Sequence, residues 1–232
     1  MKKKIIIIIA VIIILIAGGF GYSVIADLKQ EKKLNEELEN INIIVDDMEK
    51  LDTQKVYEAL ERTVTKGDYG VVEKAYKDYV KGYFDNIVNI LDVLNDEKLT
   101  QILSAENYKK DGPEFTNTKL YITETRTKLE AYKEIYSEFF TEEEAMSYIN
   151  DKGLDSYYID LYKNEIVGDI EKENEDKTVE KSIDEIIQLL DSSENIIDFL
   201  AANKKSWKIE GDEITFYKDS LADEYNALIS EM

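Results

Sequence analysis

One proline, Pro113, and ten glycines in 232 residues leave this chain with few places where a helix must stop. Proline removes an amide donor and glycine costs backbone entropy, so their scarcity favours long helices. Apolar side chains recur at helical spacing through most of the sequence. Leu34, Leu38, Ile41, Val45 and Met48 step by four and three, a coiled-coil-like stripe about two heptads long. Val72, Tyr76, Tyr79, Tyr83, Ile87, Leu91 and Leu94 share one broad face of a helix expected over 70–95. A helix starting at Asp52 or Thr53 is expected to end at Lys66-Gly67-Asp68, a short one to cover 99–103, and 104–114 to be irregular. Helix resumes from Thr118 to Phe139, and Thr141 with Glu144 forms a capping box that starts a short helix ending near Gly153. Further helices are expected from Asp155 and over 178–203, with Ser193 as a weak point in the latter's stripe.

Near the end the period changes to two. Trp207-Lys208-Ile209-Glu210 and Glu213-Ile214-Thr215-Phe216 alternate around Gly211-Asp212, a hairpin pattern. A two-residue loop sets Ile209 opposite Ile214 and Trp207 opposite Phe216, on one face that must lie on helices. Asp219 or Ser220 is then positioned to cap a final helix.

The start is a different physical object. Lys2, Lys3 and Lys4 precede Ile5–Ala26, which has no charged residue. Twenty-two helical residues reach about 33 Å, enough for a hydrocarbon core about 30 Å thick. A secreted protein's cleaved leader has a similar layout, but bulky Phe20 and Tyr22 precede the small-residue cleavage point near Ala26. The expected organisation is a cytoplasmic stub (1–4), a membrane anchor or signal peptide (5–26), a juxtamembrane helical segment (27–66) and an acidic helical bundle (67–232) with its hairpin at 207–216. In fold class this is all-α: a single transmembrane helix, then an extracytoplasmic antiparallel helical bundle with a small hairpin and final helix. Lysine placement puts the N-terminus inside.

Charge follows the same division. Residues 23–232 hold 26 basic and 50 acidic side chains, a net of −24. Such a surface repels nucleic acid and suits a basic protein partner. The chain has no His and no Cys, which excludes Ser-His-Asp and Cys-His catalysis, thiolate zinc sites and disulfides. No phosphate-binding glycine motif occurs, the acidic stretch 169–176 lacks the glycine of a calcium loop, and Glu142–Glu144 reads as helix capping. No catalytic, cofactor or metal residue is assigned.

Sixteen tyrosines are the compositional peculiarity. Tyr76, Tyr79, Tyr83, Tyr132, Tyr136, Tyr158 and Tyr162 are the candidates for a partner or ligand surface, although they coincide with apolar stripes and so also suit a core. The expectation is a non-catalytic interaction or scaffold protein of the bacterial envelope, bound to the bilayer through 5–26. The alternatives are a ligand-binding module with a tyrosine-lined groove, secreted if the leader is cleaved, and a carboxylate-dependent hydrolase. Self-repulsion of the −24 body should be screened by salt, so the melting temperature is expected to rise between low salt and about 0.3 M NaCl. A steady fall over that range would refute the repulsion argument.

Overall fold

The computed structural model describes residues 29–46 and 53–232. The expected stub at 1–4 and anchor at 5–26 therefore lie outside the described residues, as do Met48 and Asp52. Among the described residues no helix is long and apolar enough to cross a membrane. They form ten helices and one hairpin: α1 (Lys29–Asp46), α2 (Thr53–Glu61), α3 (Asp68–Leu94), α4 (Glu97–Gln101), α5 (Ala105–Asp111), α6 (Thr116–Phe139), α7 (Glu142–Ser147), α8 (Ser156–Asp176), α9 (Thr178–Ala202), β1 (Trp207–Glu210), β2 (Glu213–Phe216) and α10 (Asp219–Ser230). The protein is thus a mostly helical bundle with a C-terminal hairpin and final helix.

The chain divides into two compact units, the first made of Ile90–Tyr132 and Lys181–Met232. Its core takes Leu99, Ile102, Phe115, Ile122 and Leu129 with Ile183, Ile186, Leu190, Ile196, Ile197 and Leu200 of α9, all buried. Ser193 does not break α9. It is buried, and its hydroxyl donates to the Leu189 carbonyl at 2.7 Å, which satisfies it inside the helix.

The hairpin pairs as its pattern requires, Trp207 with Phe216 and Ile209 with Ile214, and Gly211 takes the left-handed turn position at φ +62°. Its large side chains lie on helices. Trp207 stacks on Phe115 with centroids 6.0 Å apart, and its Nε1 donates to the Leu200 carbonyl at 2.8 Å. Phe216 packs against Phe199 of α9 and Tyr225 of α10. The Tyr108 and Tyr225 hydroxyls meet at 3.1 Å, tying α10 to α5. Neither Asp219 nor Ser220 caps α10. Lys218 holds the cap position without a side-chain bond.

The stretch 104–114, expected to be irregular, contains α5. Ser104 caps it by accepting from the Asn107 amide at 3.1 Å, and the helix closes where the Gly112 amide donates to the Tyr108 carbonyl. The breaking effect of Gly112-Pro113 is confined to its end. Asp111 then organises the start of α6, accepting from the Thr118 amide at 2.7 Å and its hydroxyl at 2.8 Å. Burial would raise the Asp111 pKa, but these bonds and those from Asn117 outweigh it and hold the carboxyl below its usual range. Phe115, wholly buried, sits at φ +54°, a conformation costing about 1–2 kcal/mol, which its packing against Tyr108 and Trp207 offsets.

The second unit comprises 29–89, as described, and Lys133–Glu180. Leu34, Leu38 and Ile41 of the coiled-coil-like stripe are buried here, together with Val56, Ala59 and Leu60 of α2. Burying each of the larger aliphatics stabilises by about 1.5–3 kcal/mol. α2 ends at Glu61, short of the expected stop at Lys66, because the Val64 and Thr65 amides donate to the Glu73 carboxylate instead of continuing the helix. α7 stops at Ser147 rather than near Gly153, and Thr141 caps it, accepting from the Glu144 amide at 3.2 Å. α8 continues to Asp176, through the charged stretch, and a single residue, Lys177 at φ +47°, separates it from α9.

Two glycines test this packing. A Cβ on Gly112 would lie 2.4 Å from the Tyr108 carbonyl oxygen, whereas one on Gly168, inside α8, meets nothing. Gly112→Ala is expected to destabilise by about 1–3 kcal/mol, and Gly168→Ala to stabilise by about 0.5–1 kcal/mol. Unfolding midpoints measure both; equal effects would contradict the packing described.

Candidate functional site

Of the seven tyrosines that are candidates for a surface or a core, most go into the core. Tyr76, Tyr79, Tyr83, Tyr136 and Tyr162 are buried, while Tyr132 and Tyr158 are half-buried. Tyr79 stacks on Phe139 at 4.9 Å and meets Tyr148 edge-on; Tyr83 and Tyr136 both pack on Phe140. The Tyr162 hydroxyl donates to the Ala145 carbonyl at 2.7 Å, and burial pushes its pKa up. Tyr79, Tyr83, Tyr136 and Tyr162 thus spend their rings on packing inside the second unit. Glu142 pairs with Lys163 at 2.5 Å, and among the described residues no group of three or more carboxylates converges as a metal site would require.

The densest polar chemistry lies elsewhere in the second unit, on residues outside that candidate set. Glu73 and Lys77 of α3 are 0% and 1% exposed, and Glu37 of α1 is 6% exposed. Lys77 Nζ donates to Glu37 Oε1 at 2.6 Å and to the Arg62 carbonyl at 2.8 Å, and lies 2.8 Å from Glu73 Oε1. An ammonium has three protons, and each has its acceptor. Arg62 grips Glu37 with two parallel bonds, Nε to Oε1 at 2.7 Å and Nη2 to Oε2 at 2.8 Å. Glu73 Oε2 accepts from the Thr65 amide at 2.8 Å and its hydroxyl at 2.6 Å, and the Val64 amide completes the shell at 2.9 Å from Oε1.

Two carboxylates and two cations thus balance, and the group joins α1, the segment after α2, and α3. Burial would raise the Glu73 pKa, yet the bonds from Lys77, Thr65 and Val64 outweigh it and hold Glu73 below the usual range. The hydrogen bond to Glu37 raises Arg62 against the opposing effect of burial. With Glu73 fixed as an anion and every Lys77 proton committed, the network is built to hold position rather than to transfer a proton.

The sequence does carry a signal for it. Glu73, Lys77, Val80, Phe84, Ile87 and Leu91 step by four and three along α3, and all six are buried. The first two places of a second apolar stripe are therefore taken by an acid and a base four residues apart. That is the pattern of a buried ion pair as much as of a solvated one, and only the partners from α1 and the 62–65 segment decide between them.

A second cluster surrounds Glu31 of α1, which is 3% exposed. Its Oε2 accepts from the Tyr157 hydroxyl at 3.2 Å and the Tyr69 hydroxyl at 3.4 Å. Tyr158 meets Tyr69 and Tyr157 edge-on at 5.1 and 5.2 Å. Burial, then the bond with Tyr157, pushes the Tyr69 pKa up, so its hydroxyl stays a donor.

Comparison with protein-family models, with curated proteins and with solved structures found no match.

Because the Glu73 pKa is depressed on folding, the stability it contributes is fully present above the unfolded carboxyl value of about 4.3 and is lost as pH falls through the lower folded value. Glu73→Gln is expected to remove that part of the acid limb, measured as melting temperature against pH beside the unaltered chain. Lys77→Met, which leaves two buried carboxylates short of a cation, is expected to cost about 3–5 kcal/mol in the unfolding free energy. A change within error for Lys77→Met would mean the network is solvated.

Proposed function

We propose that this protein is a single-pass membrane protein whose acidic helical body lies outside the cytoplasm and serves as a non-catalytic interaction or scaffold module of the bacterial envelope. The observation that carries the reading is the uncharged run Ile5–Ala26 behind three lysines, with the body's first described helix beginning three residues after it. The buried ion network supports a positional role, since it fixes α1, the helix nearest the span in sequence, to α3. A net of −24 outside the span makes a basic partner the natural complement.

Fractionation tests this reading. The chain is expected in the membrane pellet after alkaline carbonate extraction, with residues 1–26 retained by mass spectrometry, and its body is expected to be digested by protease added to intact cells. A mature chain beginning at Asp27 and recovered in the medium would overturn the anchor.

A further inference from the structure

The Glu31 cluster has a location in the sequence that the rest of the body lacks. Glu31 is the fifth residue after Ala26, so even a fully extended backbone carries it no more than about 17 Å beyond the uncharged run, and a helical one about 7.5 Å. It is not free to swing on a stalk, because its buried carboxylate is bonded to Tyr157 and Tyr69. Whatever the path of the intervening residues, Tyr69 of α3 and Tyr157 of α8 are held within reach of the point where the run ends.

The exposed groups there have an interfacial character. The Tyr157 side chain is 48% exposed, with its hydroxyl committed to Glu31. Tyrosine prefers the water–lipid boundary because its ring is apolar and its tip polar. Lys66 is exposed, its amide donating at 3.2 Å to Oε1 of Gln30, the residue before Glu31, and Lys29 is exposed one residue before Gln30. Long lysine stems can lie along lipid while the ammonium stays wet. Asp68 and Asp155 are exposed near the same tyrosines, so the patch is mixed in charge and does not depend on anionic lipid.

Glu31 supplies an independent indication. Its Oε1 is buried and has no hydrogen-bond partner among the described residues. Such an oxygen costs stability unless a donor outside the described residues reaches it. The headgroup layer, about 5–7 Å deep on each side of the bilayer, is rich in bound water and, in many lipids, in ammonium groups.

From these observations we infer that the end of the second unit carrying Tyr157, Lys66 and Glu31 docks on the outer water–lipid interface, with the Tyr157 ring at headgroup level. This rests on the anchor reading above. The body would then be held against the membrane by a specific face rather than carried on a flexible tether.

The absence of cysteine makes the test direct. Lys66→Cys, which leaves the Glu31 bonds untouched, provides a single thiol for a fluorophore on the full chain in lipid nanodiscs. Headgroup-level nitroxide lipid is expected to quench the label, equally in phosphatidylcholine discs and in discs containing phosphatidylglycerol, and adding Tyr157→Ser is expected to reduce the quenching. Emission unchanged by the nitroxide, in discs that still contain the full-length chain, would overturn docking and leave the anchor standing. Quenching only with phosphatidylglycerol would replace the tyrosine-based contact by an electrostatic one and so also overturn it. A chain that fails to enter discs, with residues 1–26 present, would remove the anchor reading and this inference together.

Discussion

A fully buried ammonium is the constraint on which the second unit depends. Lys77 reaches the interior on α3 and can remain charged there only if three acceptors surround it. One comes from its own helix, Glu73; one from α1, Glu37; and one from the backbone after α2, the Arg62 carbonyl. Shifting α1 by one turn, about 5.4 Å, would separate Glu37 from both of its cations. Apolar contacts of Leu34 and Ile41 would tolerate such a slip far better than the ion pairs do. The network thus acts chiefly on register: it penalises alternative placements of α1 more than it adds to the stability of the native one.

The first unit solves the corresponding problem with aromatic rings. Its hairpin has two strands of four residues and, among the described residues, no further strand to extend the sheet, so it persists only by packing on helices. Trp207 does this twice over, through its ring on Phe115 and its indole N–H on the Leu200 carbonyl. The Tyr108–Tyr225 hydroxyl pair then holds the last helix, which buries no residue completely. Burial raises the pKa of both tyrosines, keeping them neutral hydrogen-bonding groups.

Local signals are legible where local physics decides the outcome. The long helices and the hairpin register follow from periods of 3.6 and 2, and Thr141 caps α7 as its spacing with Glu144 implies. Helix ends depart from the pattern where a distant side chain takes the backbone amides: α2 stops early because Glu73, nine residues past Val64, accepts from that amide. The tyrosines can be placed on stripes from sequence, but core and surface differ only in what covers a stripe, and the rings that cover Tyr79 and Tyr83, those of Phe139, Tyr148, Tyr136 and Phe140, are remote in sequence. Glu73 and Lys77 show the same limit in reverse. Their spacing marks a pair, while burial comes from α1 and from the segment after α2.

The described ion pairs also bear on the acidity of the body. Lys74, Lys119, Lys163, Lys204 and Arg126 each face a carboxylate across or along helices. Most of these pairs are exposed and contribute little to stability, about 0.2–1 kcal/mol apiece. Their larger effect is on the outward field. Cations already held by acids cannot offset the remaining carboxylates, so the −24 body presents a predominantly negative surface. On the proposed reading, that surface keeps the body from binding the anionic polymers of an envelope and leaves the mixed-charge, tyrosine-bearing end near the uncharged run as the part least repelled by a membrane. Charge and aromatic placement would then act together, one by excluding most orientations of the body at the bilayer and the other by favouring a single face.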